Sequence, residues 1–311
     1  MPFSPVGRDT FAYMVLCACD ATTLFDAIRA TGNQGADPQL PTTPVPADPK
    51  FGYSYLTTER WTPVGQLRAD DILITESGNC YFGAVLTCKT TFGPFQVGDV
   101  LVAIKGTSDP AEWVDDGASL FPTDGEAGEL GDVALGFWRL YKTLTLADWA
   151  DGSKTQGLID ALIGLTSAPR FNPAVNRLYI VGHSLGSALA TYLTYDVVDR
   201  LDAEQAALVA PYFFASPKTG TTAMVQNYAK KVPFYNLVNY VNDLVPMLPF
   251  AIEGYSDLLN LGAHQNAIVL RPPEPSPTPP PNFLDVKSNH SAVLYAKFLD
   301  PTNSEAQRRP I

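Results

Sequence analysis

The chain has 311 residues, of which 46% are hydrophobic and 17% charged, and a formal net charge of -11. That length and apolar content can bury a large core, so one α/β domain over residues 1–311 is the expectation. The negative charge excludes nucleic acid and anionic membranes as partners held by electrostatic attraction, and leaves neutral or apolar substrates open.

Four cysteines and three histidines make a poor metal or disulfide inventory. Neither C-x-x-C nor H-E-x-x-H occurs, and Cys80 and Cys88 end one predicted strand about 26 Å apart, at roughly 3.3 Å per residue, beyond disulfide reach. Residues Asp9 to Thr31 read as an amphipathic first helix stopped at Gly32. Its apolar run Ala12–Ala18 is too short to span a bilayer and lacks a cleavage site, so no integral membrane segment is expected. A soluble chain follows, cytoplasmic or secreted with its signal absent. Pro38, Pro41, Pro44, Pro46 and Pro49 then form an extended arm, completing an N-terminal region of residues 1–50.

Two β-branched, apolar runs, Cys80–Lys89 and Asp99–Ile104, flank Gly93-Pro94 and predict a hairpin. Lys105-Gly106-Thr107-Ser108 follows, with Thr107 at the end of the strand as either a cleft residue or part of an ordinary polar turn. Residues 108–120 are acidic around Trp113. The group Phe121, Phe137, Trp138 and Tyr141 has the spacing of core packing more than that of an acyl groove.

Leu178–Val181 is a strand pattern and Leu185–Val198 a helix pattern, with Gly182-His183-Ser184-Leu185-Gly186 between them. G-x-S-x-G at a strand-to-helix turn is a nucleophile elbow, which exposes Ser184 above the sheet; the alternative is a serine that merely caps the helix. Acyl transfer needs backbone donors for the oxyanion, and the amides of Leu185 and Thr107 are the candidates. Further strands are expected at Tyr212–Ala215 and Pro233–Val241, with a helix from Ala223 to Lys230 between them. Asp243 stands just past the second strand, where an orienting carboxylate belongs, whereas Asp257 and Asp285 have no strand leading into them. Among the histidines, His183 lies inside the elbow and His264 opens the strand Asn266–Leu270 at its amino edge. His290 begins the helix Ser291–Leu299 and alone suits the chain order Ser, Asp, His.

The segment 271–282 is polyproline-like, a stiff spacer ahead of His290 or an SH3-type ligand. The sequon Asn289-His290-Ser291 is expected to stay unglycosylated beside the general base, and the polar tail after Asp300 to fray.

The run Val102-Ala-Ile-Lys-Gly-Thr107, then Glu112-Trp113-Val-Asp-Asp116, Gly136-Phe137 and Tyr141, the elbow, and Asn242-Asp243-Leu-Val-Pro246 occur in that order. Together they resemble the class 3 (fungal-type, Rhizomucor-like) lipases over residues 80 to 298. The resemblance implies an α/β-hydrolase fold with a mostly parallel central sheet and helices on both faces. It further implies no cofactor, and a lipid or ester substrate met at an oil–water interface. A lid over residues 108–120 follows from it, with Trp113, Val114, Phe137, Val245 and Leu248 as candidate substrate-binding and lid residues. This chain departs from the family in having Lys105 for an arginine, Ala134-Leu135 where a histidine often stands, and Ser187 for a glycine.

The chemistry expected is ester hydrolysis through an acyl-enzyme, with Ser184 as nucleophile, His290 as base and Asp243 as its orienter. A base with a reference pKa near about 6.5 predicts activity that rises with pH through that region. A triacylglycerol lipase or esterase is the first reading. A short-chain carboxylesterase, a phospholipase A1, a peptidase or thioesterase, and a non-catalytic hydrolase-fold binding protein are the others.

Overall fold

The computed structural model describes residues 7–33, 36–42, 55–70, 79–107, 125–232, 234–249, 254–261, 265–272 and 285–309. The expected lid with Trp113 and Val114, His264 and most of the proline-rich segment lie outside these residues.

Helix α1 (Arg8–Ala30) comes first, followed by β1 (Trp61–Asp70), β2 (Asn79–Cys88) and β3 (Val100–Ile104). Next are α2 (Leu135–Lys142), β4 (Thr145–Ala147), β5 (Thr155–Gln156) and α3 (Leu158–Thr166), then β6 (Leu178–His183) and α4 (Leu185–Arg200). A short α5 (Ala203–Ala206) leads to β7 (Val209–Phe214), β8 (Gly220–Thr221), α6 (Thr222–Lys231) and β9 (Tyr235–Tyr240). The chain closes with β10 (Tyr255–Ser256), β11 (Gln265–Leu270), α7 (Val286–Asn289), α8 (Ala292–Leu299) and α9 (Ser304–Arg308).

Nine of these strands form one sheet in the order β11-β9-β7-β6-β3-β2-β1-β4-β5. From β3 to β11 neighbouring strands run parallel, while β2, β1, β4 and β5 extend the sheet antiparallel. Side chains alternate across each strand. Val100, Val102 and Ile104 of β3 and Leu178 and Ile180 of β6 face a core closed by α2, α3, α4 and α6. Leu101, Ala103, Tyr179 and Val181 face a second core, closed by α1 and α8. Burial on both faces explains why the parallel strands read as continuous apolar runs.

Three expectations need correction. By length and a mean hydropathy of 1.5, α1 is apolar enough to cross a membrane, yet here it is a core helix. It is not simply amphipathic, because Met14 to Ala18 are buried in succession, with the sheet on one side and α8 on another. Asp257 does follow a strand, β10, but among the described residues that strand pairs with β8 in a separate two-stranded sheet and is not one of the parallel strands. The tail is not frayed: α9 packs with Ala306 fully buried, and the Arg309 guanidinium lies 2.8 Å from the buried carboxylate of Asp20 on α1. A polar stretch can be held by a buried charge partner that no local pattern announces.

Candidate active site

The elbow is built by close backbone contact. A Cβ on Gly182 would stand 2.1 Å from the carbonyl oxygen of Gly186, and one on Gly186 would stand 2.5 Å from that of Ile104, so only glycine fits at either place. Between them Ser184 takes φ 61° and ψ -130°, a backbone region that side chains rarely occupy. Its amide donates to Phe214 O of β7 at 3.0 Å, tying the turn to the next strand. Leu185, the first residue of α4, has an amide with no partner in the helical ladder.

Asp243 lies three residues beyond β9, buried to 1% exposure. Its Oδ1 accepts the Val245 amide at 3.0 Å, and Oδ2 lies 2.8 Å from His290 Nδ1. Oδ2 also accepts the Tyr295 hydroxyl at 2.8 Å, and that hydroxyl in turn accepts the Tyr240 amide at 2.9 Å. Burial, then the Asp243 charge, holds the Tyr295 phenol well above its ordinary pKa, so it remains a donor. The carboxylate therefore has a fixed orientation, and Nδ1 is the imidazole nitrogen that it addresses.

His290 ends α7 and is 3% exposed. Its ring lies 4.7 Å, centroid to centroid, from that of His183. Burial first, and then the nearby His290, depress the His183 pKa well below the ordinary value, so this second imidazole is neutral. Ser184 Oγ and His290 Nε2 are buried and have no hydrogen-bond partner among the described residues. The structure thus joins Asp243 to His290 but forms no hydrogen bond between His290 and Ser184. Catalytic hydrogen bonds are often long before substrate arrives.

Gly106 touches the elbow from the other side, where a Cβ would lie 2.9 Å from His183 O and 3.4 Å from Ser184 Cβ. Thr107 follows it. A cavity of about 210 Å³ opens here, with Gly106, Thr107, His183, His290 and, from α1, Cys19 and Thr22 in its wall. Of the other candidates, Phe137 is 1% exposed within the core of α2, Val245 is fully buried beside Asp243, and Leu248 is 6% exposed. Asn289 is fully buried, which puts its amide out of reach of glycosylation. Tyr295 and Thr22 were missed by the sequence reading; a tyrosine inside an apolar helix and a threonine inside another carry no local signal.

The family profile Lipase (class 3) matches residues 101–253. A phospholipase A1, EG1, from Oryza sativa subsp. indica is 32% identical over 133 residues, 40% of this chain. The chain spans 30% of that relative's length. Among solved structures, a triacylglycerol lipase whose catalytic centre is a serine protease triad superposes with a TM-score of 0.53 at 16% identity, covering 80% of this chain and 76% of the other. The triacylglyceride lipase of Rhizomucor miehei gives 0.52 at 14% identity, over 82% and 80%. The chain thus has the α/β-hydrolase fold of the fungal class 3 lipases, at moderate structural similarity.

Proposed function

We propose, from a hydrolase fold shared with those lipases, that this chain is a serine carboxylic ester hydrolase acting on acylglycerol-type lipids. The observation that carries the reading is the buried Asp243–His290 pair, on the same rim of the sheet as a strained, elbow-borne Ser184.

Ser184 Oγ attacks the ester carbonyl as His290 Nε2 takes its proton. Asp243 holds the imidazole by Nδ1–H and stabilises the imidazolium. The amides of Leu185 and Thr107 receive the oxyanion, the alcohol leaves with the proton from Nε2, and water repeats the sequence to release the acid. No step needs a cofactor. Ser184→Ala or His290→Ala lowers turnover by on the order of a millionfold, and Asp243→Asn by less. Steady-state rates on p-nitrophenyl esters test this, and variants that keep wild-type rates overturn it.

Triacylglycerol is one substrate reading. The 32% identity to a phospholipase A1 favours a second, cleavage of a glycerophospholipid acyl ester by the same residues. Rates across acetyl to palmitoyl esters, dissolved and emulsified, together with phosphatidylcholine against triacylglycerol, decide between these and a short-chain esterase.

A further inference from the structure

We propose that Thr22, on α1, is a positioning residue for the oxyanion loop. The proposal rests on the reading of Thr107 as an oxyanion donor. At Lys105 the β ladder ends, the last rung being Lys105 N–H to Phe82 O at 2.9 Å. The next amide, Gly106 N–H, leaves the sheet and donates to Thr22 Oγ1 at 3.0 Å. Thr22 in turn donates its hydroxyl proton to Ala18 O, one helical turn back, at 3.2 Å. That bond fixes the rotamer and turns an oxygen lone pair toward Gly106.

The same helix grips the preceding residue. The Lys105 ammonium, fully buried, lies 3.9 Å from the ring centre of Phe25 on α1 and 4.2 Å from that of Phe82 on β2. A lysine cannot reproduce the planar fork of the arginine common at this place in the lipases it resembles; here two aromatic faces and a threonine hydroxyl contribute to the bracing. A Cβ on Gly106 would stand 2.9 Å from His183 O and 3.4 Å from Ser184 Cβ, so the loop also passes close to the elbow. The peptide that precedes the Thr107 amide is therefore set between α1 and the elbow. An oxyanion donor is effective only within about 0.5 Å of its productive place, and loss of such a donor costs about 10²–10³ in kcat.

The test compares the full-length protein with Thr22→Val, Thr22→Ala and Thr22→Ser. Valine keeps the shape and removes the acceptor; serine keeps the acceptor. The expected result is a kcat lower by at least about tenfold in the valine and alanine variants, up to the full loss of that donor, with KM nearly unchanged. The serine variant returns close to the wild-type rate. Binding of a trifluoromethyl ketone, which forms a tetrahedral adduct with the serine, weakens in parallel with kcat, while thermal unfolding monitors stability separately. A wild-type kcat in both Thr22→Val and Thr22→Ala, a serine variant as slow as valine, or a loss confined to KM or to the melting temperature overturns the proposal. Failure of the hydrolase reading looks different, because the wild-type protein then turns over no ester at all.

Discussion

Around the Asp243 carboxylate stand one backbone amide, one imidazole and one phenol, each near 3 Å. The phenol is the removable one. Tyr295→Phe deletes a hydrogen bond to a charged group, worth about 1.5–3 kcal/mol, so kcat on a soluble ester should fall about tenfold or more. An unchanged kcat would mean that the Val245 amide and His290 suffice to orient the acid. His183 makes a second prediction. It is held neutral in the fold, with a pKa well below the value near 6.5 of an unfolded histidine. As pH falls through that region the unfolded chain takes up a proton that the folded one does not, so this contribution to stability is complete above it and is lost below. Urea unfolding at pH 7.5 and 5.5 should show a smaller acid loss in His183→Gln than in the wild-type protein; equal losses would contradict it. The places of Ser184, Asp243 and His290 in the fold were legible, because each sits where a strand or loop meets the next element in a recognisable order; their catalytic roles are the ones proposed above. Tyr295 and Thr22 were not, since their partners lie 52 and 84 residues away and leave no spacing to read.

Among the elements, the elbow between β6 and α4 tolerates least. A methyl group on Gly182 would overlap the Gly186 carbonyl at 2.1 Å, backbone against backbone, so Gly182→Ala should either fail to fold or separate strand from helix and abolish turnover. A Gly182→Ala protein with wild-type melting and wild-type rate would contradict the packing described. Helix α1 is the other critical element, since it covers the sheet, walls the cavity and, through Asp20, receives the Arg309 guanidinium. Removing one member of a buried ion pair costs about 3–5 kcal/mol. Arg309→Ala should therefore lower the unfolding free energy by about that amount, measured by denaturant titration; a loss below about 1 kcal/mol, the range of exposed ion pairs, would show the pair to be solvated. The sequence pattern found α1, the hairpin and the parallel strands by apolar periodicity. It missed β1, where Pro63 and Gly65 interrupt the strand at a register shift, and α9, whose polar surface hides the anchoring arginine.

For the whole molecule, the two faces of one nine-stranded sheet are closed by different helices, and the candidate site lies at the rim where β3, β6 and β9 end. The net charge of -11 was readable at once, and under the proposed lipid-hydrolase reading it sets a preference among lipid surfaces. Association with neutral vesicles should exceed that with anionic ones, and the gap should narrow as salt screens the repulsion; tighter binding to anionic vesicles at low salt would refute this. Under the proposed reading, the choice of ester depends on the shape of the cavity, which no composition or motif supplies. The central claim is narrower, that one serine is activated by one imidazole, and it is tested most directly by a fluorophosphonate with the modified peptide identified by mass spectrometry. A single adduct on Ser184, lost in His290→Ala, is the predicted result; an unlabelled protein, or an adduct elsewhere, would contradict it.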